Sequence, residues 1–168
     1  MPPDIVLSPI EDSHLPGVLA IQNHEIATGV ALWNETLSTL EDVRAWRADR
    51  LALGYPMLAA LRGEAVVGYG ALGPFRPHQA YAATVEHSVY VAEEEKRHGV
   101  GRALLRALIA EARAQGRHAI VGGIEAGNEP SLALHRAEGF EETARMPEVG
   151  YKFGRRLTLV FMQKLLRA

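Results

Sequence analysis

Two different hydrophobic periods meet at one short segment in the middle of the chain. From Val85 to Val91 polar and apolar residues alternate, and the apolar ones are β-branched or aromatic, which predicts a half-buried strand. From Val100 onward the apolar residues recur at helical spacing, which predicts an amphipathic helix. The intervening residues 96–101 (Lys-Arg-His-Gly-Val-Gly) are therefore expected to form a strand-to-helix turn.

The same periods predict further elements upstream of this turn. In chain order we expect a strand at residues 5–7, a helix beginning near Asp12, a loop at 27–37, a helix capped by Ser38 and Thr39, strands at 57–61 and 65–72, a loop at 73–78 and a strand at 83–91. The turn at residues 62–64 makes the first two long strands a hairpin.

Downstream of the turn the pattern predicts a second mixed segment. We expect the amphipathic helix to end at Gly116, then a buried strand at 119–124, a helix at 129–138, and strands at 140–144 and 157–163 joined by an irregular segment at 146–154. An early hairpin followed by alternating strands and helices predicts an α/β (α+β) fold, a mixed sheet with helices on both faces, in a single domain spanning residues 1–168.

Composition and charge narrow the class of protein. A chain of 168 residues with 48% hydrophobic content is long enough for one core. The formal net charge of −2 and the lack of long blocks of one sign argue against bulk electrostatic binding to nucleic acid or to a membrane surface. The absence of cysteine excludes a disulfide or a thiolate nucleophile, and we expect a soluble cytoplasmic protein because no leader or spanning segment is evident.

The turn at residues 96–101 is the first candidate for chemistry. Gly99 and Gly101 lack Cβ atoms, so the backbone can approach a ligand closely, and free amides at a helix N-terminus attract anions. This pattern predicts a phosphate-binding turn, although a tight turn without a ligand has the same pattern. A P-loop is disfavoured because the chain has no G-x-x-x-x-G-K-[ST] motif.

The predicted helix at 129–138 carries the second candidate. Asn128, Ser131 and His135 are spaced at i, i+3 and i+7, which places them on one helix face beside the end of a strand. The alternative is an Asn that only caps the helix, together with a solvated histidine.

Together these motifs resemble the GNAT superfamily of N-acetyltransferases. The elements that carry the resemblance follow in the order strand, K-R-H-G-V-G turn, helix, strand and the motif N-x-x-S-x-x-x-H-x-x-x-G-F. One position departs from the pattern: Lys96 stands where the wider family usually has Arg or Gln. The segments VEHSVYV, IEAGN, LHRAEGF and VGYKFGR resemble the phosphinothricin and methionine sulfoximine acetyltransferase subfamily. The resemblance covers residues 85–161 densely, and it implies a mostly antiparallel sheet of about seven strands flanked by about four helices.

The resemblance also implies that the co-substrate is acetyl-CoA, that the enzyme uses no metal, and which residues bind the acetyl-CoA. The cofactor-binding residues that it implies are Ser88, Val89, Tyr90, Lys96, Arg97, His98, Gly99, Val100, Gly101, Asn128 and Ser131. A backbone N–H near residues 88–90 is expected to stabilise the oxyanion that forms when the thioester is attacked.

Two residues are expected to move protons. An ammonium must lose a proton before it attacks a thioester, and the resemblance assigns Glu86 as that base; the alternative is an outward-facing residue of an alternating strand. His135 is expected to protonate the leaving thiolate, and its alternative is a structural histidine.

Substrate contacts are expected from the loop before the catalytic strand and from the C-terminal segment. Phe75 and Arg76, with Glu86, are expected to bind an amino acid, with Arg76 on its α-carboxylate. Tyr151 is expected to form a second wall of the substrate pocket, reached across the interface of a homodimer. Lys152, by contrast, is interpreted as a solvated loop residue.

These expectations converge on one activity. We expect an acetyl-CoA-dependent N-acetyltransferase acting on the α-amine of a small amino-acid analogue, such as phosphinothricin, methionine sulfoximine or methionine sulfone, by direct attack in a ternary complex. The alternatives are an acetyltransferase for another amine, such as a protein N-terminus, and a non-catalytic acyl-CoA sensor.

Overall fold

The computed structural model describes residues 4–166, and the ends of the predicted 1–168 domain, residues 1–3 and 167–168, lie outside the described residues. The strands are β1 (Ile5–Pro9), β2 (Met57–Arg62), β3 (Ala65–Pro74), β4 (Thr84–Val91), β5 (Ala119–Glu125), β6 (Glu141–Lys152) and β7 (Arg155–Leu165). The helices are α1 (Leu15–Thr28), α2 (Leu40–Ala52), α3 (Val100–Ala114) and α4 (Glu129–Ala137).

The seven strands form one mixed sheet in the order β1-β2-β3-β4-β5-β7-β6. Every neighbouring pair is antiparallel except β4 and β5, which run parallel. The expected fold class, a mostly antiparallel sheet of seven strands with four helices, is confirmed.

Two apolar clusters place helices on both faces of the sheet. One cluster joins α1 and α2 to the face that carries Ala59, Tyr69 and Ala71. The other joins α3 and α4 to the opposite face, which carries Leu72 and Val85. Adjacent residues of β4 therefore point alternately to these two layers.

Helix α2 begins where the sequence predicts. Thr39 is its N-cap, and Thr39 and Asp42 form a capping box in which each side chain accepts a hydrogen bond from the other residue's backbone N–H. Within residues 4–166, no helix is both long and apolar enough to span a bilayer.

The C-terminal hairpin differs from the prediction. Strands β6 and β7 continue to Lys152 and Arg155, so most of the segment expected to be irregular is strand. A register shift between Met146 and Gly150, with Glu148 at φ 57°, accommodates the breakers in a bulge. The turn itself is Phe153-Gly154, both with positive φ, as a two-residue hairpin turn requires.

Candidate active site

A gap opens in the sheet where the parallel strands β4 and β5 separate. Their pairing covers only three positions and ends at Glu86 opposite Val121. The Ala92 N–H bonds to the Val67 carbonyl on the β3 side, so by alternation the N–H groups of Val89 and Val91 point away from β3, into the gap. Of the expected residues 88–90, Val89 therefore offers its backbone amide to a ligand in the gap.

The predicted glycine turn lies at the end of this gap. Gly99 is the N-cap of α3 at φ 84°, a left-handed conformation that favours glycine, and Arg97 also has a positive φ of 68°. Ala103 N–H is the first amide of the helix with a backbone acceptor, Gly99 O at 3.0 Å. The preceding amides of the first turn are free to bind an anion.

The turn contacts the end of β4 and helix α4. A Cβ at Gly101 would lie 3.5 Å from Val91 Cγ2 and 3.7 Å from Leu134 Cδ2. Val100, one of the expected cofactor-binding residues, has its side chain in the core at 1% exposure, so only its backbone faces the turn. The side chains of Lys96 and His98 are exposed, and the Lys96 ammonium lies 2.6 Å from Glu93.

Enlarging the side chain at position 101 tests this cradle. An alanine-sized group has room, whereas the branched side chain of Gly101→Val would crowd both the backbone amides and Val91. We expect the Kd for acetyl-CoA to rise about 10-fold or more, as for the loss of one or two charge-assisted hydrogen bonds. Titration calorimetry checks this, with Gly101→Ala as the control; unchanged binding by the valine variant would contradict the cradle.

Glu86 lies on the face that α1 and α2 cover, with Ser88 and Tyr90. Burial raises the pKa of the Glu86 carboxyl, and the nearby charges of Arg76 and Arg50 oppose that rise. A Cβ at Gly123 would come 3.6 Å from its Oε1, so this glycine keeps the space beside the carboxylate open. A raised pKa and open space beside the carboxylate are what a general base requires, and the role of Glu86 as that base stays a prediction.

An aromatic wall stands beside Glu86. Phe75 and Phe161 are in edge contact at 6.1 Å between ring centroids, and the Arg76 guanidinium lies over Phe75 at 4.3 Å. Arg76 Nη1 donates to the Phe75 carbonyl. On the same face is a cleft of about 240 Å³, and its lining residues are Phe75, Tyr81, Thr84, Val121, Thr143, Ala144, Phe161 and Gln163.

His135 is buried rather than solvated, in a setting that agrees with its structural alternative and leaves its proton-donor role a prediction. It is 4% exposed, and its Nδ1 bonds at 2.7 Å to the Ser131 carbonyl, so Nδ1 carries the proton and donates it. Its Nε2 lies 3.1 Å from Nε2 of His87, which must then be the donor. Burial lowers the pKa of His135, so the imidazole is neutral and its one N–H, at Nδ1, donates to the Ser131 carbonyl and points away from the gap.

The histidine pair predicts a pH dependence of stability. Burial, together with the proximity of His135, lowers the pKa of His87 from its usual 6.5 to about 3. Because a histidine takes up a proton near pH 6.5 when unfolded, the folded state loses stability as pH falls below that value. Each such histidine contributes up to about 1.4 kcal/mol per pH unit.

Urea denaturation at pH 6.5 and at pH 5.0 measures that slope. We expect the free energy of unfolding of His87→Gln to fall less between the two pH values than that of the wild type. The exposed His118→Gln is the matched control and should keep the wild-type slope. Identical slopes in all three proteins would contradict the assignment of a neutral buried pair.

Asn128 and Ser131 lie at the start of α4, as predicted. Asn128 is the N-cap, and its Oδ1 accepts the Ser131 N–H at 3.2 Å. The capping role is therefore present, while the Asn128 amide group and the Ser131 hydroxyl make no side-chain donor contact within the described chain. Both groups stay candidates for contacts with the cofactor.

Two C-terminal residues differ in their surroundings. Lys152 was expected to be solvated, and that interpretation is wrong: it is fully buried, and its Nζ donates to the carbonyls of Gly29 and Leu32 at 2.8 and 2.6 Å. Tyr151, on the other side of the strand, is 56% exposed, and its ring lies below Arg156. No aromatic or polar contact within residues 4–166 joins Tyr151 to Glu86.

Comparison with known proteins decides the family. The sequence model of the acetyltransferase (GNAT) family matches residues 19–140. The chain belongs to this family of acetyltransferases. The β4–β5 gap, the glycine turn and α4 are thus parts of a GNAT domain, and the resemblance stated from the motifs is confirmed.

Curated GNAT relatives cover most of this chain. It is 50% identical over 151 residues to an L-methionine sulfoximine/L-methionine sulfone acetyltransferase of Pseudomonas aeruginosa, covering 89% of this chain and 87% of the relative. It is 38% identical over 160 residues to a phosphinothricin N-acetyltransferase of Alcaligenes faecalis, covering 95% and 81%.

Solved GNAT structures superpose closely. A putative acetyltransferase from Salmonella typhimurium, solved with acetyl-CoA, is 40% identical with a TM-score of 0.95, covering 98% of this chain and 95% of that one. A ribosomal-protein-alanine N-acetyltransferase from Brucella melitensis is 46% identical with a TM-score of 0.94, covering 95% and 99%.

Sequence reasoning missed two residues at the site. Arg50 is in the last turn of α2, distant in sequence from the motifs, and only the packing of α2 on β3 brings it near Glu86. His87 is adjacent to Glu86, and strand alternation predicts that it faces the opposite layer. The alternation of side chains along the strand could therefore have located His87, whereas no local sequence pattern points to Arg50.

Proposed function

We propose that this GNAT enzyme transfers the acetyl group of acetyl-CoA to the α-amine of a small amino-acid analogue of the methionine sulfone, methionine sulfoximine or phosphinothricin type. The observation that carries the proposal is the half-buried Glu86 between two arginine side chains, beside a cleft of about 240 Å³. The names of the relatives at 50% and 38% identity support the same substrate class.

The chain's own residues suit each step of a direct transfer. Glu86 takes the proton from the substrate ammonium, directly or through water, so that the amine is free to attack. The Val89 N–H, which points into the gap, is proposed to donate to the carbonyl oxygen as that oxygen gains charge. Bound acetyl-CoA supplies the activated acetyl group, and the free amides of residues 99–102 are proposed to hold its phosphates.

The cleft suits the tetrahedral sulfur or phosphorus end of such substrates. Phe75 and Phe161 provide apolar walls, and the side chains of Thr84 and Gln163 are proposed to donate hydrogen bonds to sulfonyl or phosphinate oxygens. Arg76 is proposed to contact the α-carboxylate from the loop. His135 remains proposed as the source of the thiolate's proton, and for that it must take up a proton at Nε2 as it releases the Nδ1 proton that it now donates to Ser131 O.

A second candidate substrate is a protein N-terminus. It is favoured by the 46% identity to the Brucella structure described as a ribosomal-protein-alanine N-acetyltransferase. The single amino acid is preferred here because a cleft of about 240 Å³ matches its size.

A competition assay separates the two substrate classes. L-Methionine sulfone and an alanine-initiated hexapeptide are offered together at equal concentrations, and the two N-acetyl products are quantified by mass spectrometry, which gives the ratio of kcat/KM values directly. We expect the amino acid to be favoured by at least about 100-fold. A product mixture dominated by the acetylated peptide would overturn the proposed substrate class.

We further propose that the chain acts as a single cytoplasmic domain that forms a homodimer. Exposed apolar side chains along the C-terminal hairpin support the dimer, among them Met146, Val149, Tyr151 and Phe153. Tyr151 is then proposed to reach the substrate site of the partner copy.

A further inference from the structure

The Arg50 side chain lies against the backbone of the residue paired with Glu86. Gly73 on β3 is opposite Glu86 on β4 in the antiparallel register, so a side chain at position 73 would share the face of Glu86. That space is occupied by the Arg50 guanidinium, because a Cβ at Gly73 would come 2.9 Å from Arg50 Cζ and 3.1 Å from Nη2. The absence of a side chain at position 73 is thus what admits this cation.

The Arg50 guanidinium makes no hydrogen bond or close ion pair within the described chain, although its charge acts on Glu86. Its Nε is buried without a hydrogen-bond acceptor, and it forms no ion pair with a carboxylate of residues 4–166. A buried guanidinium N–H without an acceptor is costly, so an arginine kept in this position points to an anion that binds there. The surrounding arginines differ: Arg47, one turn earlier, bonds to Asp12 and to the Ile10 carbonyl.

Arg50, on α2, and Arg76, in the loop after β3, approach Glu86 from different sides. Arg50 is on the β3 side, over Gly73, whereas the Arg76 guanidinium is 5.9 Å from the Phe161 ring on β7. Arg76 is exposed and already donates to a backbone carbonyl, while the Arg50 donor is buried and unused. In an α-amino acid the carboxylate is separated from the amine by one carbon, so an amine at Glu86 brings the carboxylate next to these cations.

We propose that Arg50 is a substrate-binding residue that pairs with the α-carboxylate of the amino acid from the β3 side, opposite Arg76. This inference rests on the proposed function and assigns to it a specificity determinant from α2. The enzyme then selects α-amino acids over plain amines because a substrate without the carboxylate leaves the buried Nε–H of Arg50 without an acceptor. Gly73 is a positioning residue, since it acts by making room for Arg50.

The test compares two substrates that differ only in the carboxylate: L-methionine sulfone and 3-(methylsulfonyl)propan-1-amine. For Arg50→Met we expect kcat/KM to fall about 30-fold or more with the amino acid and less than about 3-fold with the amine, as for loss of one buried charge pair. Assays are run at a pH above the acid limb of each variant, so that Glu86 is ionised in both. The exposed Arg44→Met, whose native partner is Glu41 on the same helix, is the matched control.

Gly73→Ala provides a second variant that keeps the Arg50 charge but displaces it. The added methyl meets the far end of a flexible side chain, so the protein should fold while losing selectivity in the same direction as Arg50→Met. Thermal unfolding gives an independent readout: since Arg50 makes no hydrogen bond or close ion pair within the described chain, Arg50→Met should melt at or above the wild-type temperature. A structural role predicts a lower melting temperature instead.

The outcomes separate this inference from the proposed function. If the wild type acetylates methionine sulfone and Arg50→Met changes neither substrate, or lowers both equally, the Arg50 assignment is overturned and the proposed function stands. If the wild type acetylates no amino acid, the proposed function and the assignment both fail. A selective loss for the amino acid in both Arg50→Met and Gly73→Ala supports the assignment.

Discussion

Replacing Glu86 with glutamine is expected to lower kcat for an amino-acid substrate by about 10² to 10⁴-fold, the usual contribution of a general base. Glutamine has nearly the same shape as glutamate but cannot accept a proton, so it removes the chemistry and leaves the packing. The Kd for acetyl-CoA should stay within about 2-fold, because the glycine turn and α4 do not contact this side chain. Initial rates of CoA release measure the effect, with Glu64→Gln in the exposed β2–β3 turn as the control.

The pH profile identifies which group acts as the base. Burial raises the pKa of Glu86, and a base works only when ionised, so kcat/KM of the wild type should fall as the pH drops through that raised pKa. This fall at low pH, the acid limb of the profile, should be missing in Glu86→Gln. If the variant keeps the wild-type acid limb, another group takes the proton.

The second large effect is expected at Lys152 and concerns stability. Its Nζ donates two hydrogen bonds to the carbonyls of Gly29 and Leu32, in the loop that connects α1 to α2. Lys152→Ala leaves both carbonyls without a donor and opens a cavity, so we expect the free energy of unfolding to fall by about 3 to 5 kcal/mol. Lys152→Met fills the space but not the hydrogen bonds, so it should lose about 2 to 3 kcal/mol.

Urea denaturation at pH 7.5 measures these losses, and Arg155→Met, an exposed cation three residues away, is the control. A change below about 1 kcal/mol in Lys152→Ala would show that water replaces the lysine ammonium, and would contradict its role in holding the loop.

Local patterns were sufficient for most of the sheet and helices. Strand residues 85–91 and helix α3 each bury one side against the core, so the spacing of their apolar residues follows the period of the strand or helix. The hairpin β6–β7 was cut short in the prediction because Pro147 and Gly150 resemble loop residues. In the fold they lie in an edge-strand bulge, which tolerates both residue types.

The site was predictable only in part. Glu86 and the glycine turn are within one strand-turn-helix unit, where sequence spacing sets their separation. The surroundings of Lys152, His135 and Arg50 depend on contacts between distant segments, such as Lys152 with the loop at residues 29–32. A charged residue next to a turn is usually solvated, and local sequence carries no sign that a distant loop will cover it.

The central claim is direct acetyl transfer to a small amino acid, and one experiment tests it most directly. Purified protein is incubated with acetyl-CoA and L-methionine sulfone, with released thiol followed in time and the products weighed by mass spectrometry. We expect thiol release that depends on the amino acid, one N-acetyl product per CoA, and no acetylated protein when the amine is omitted. Binding of acetyl-CoA without release of CoA, with methionine sulfone, methionine sulfoximine or phosphinothricin, would contradict the claim and favour an acyl-CoA sensor.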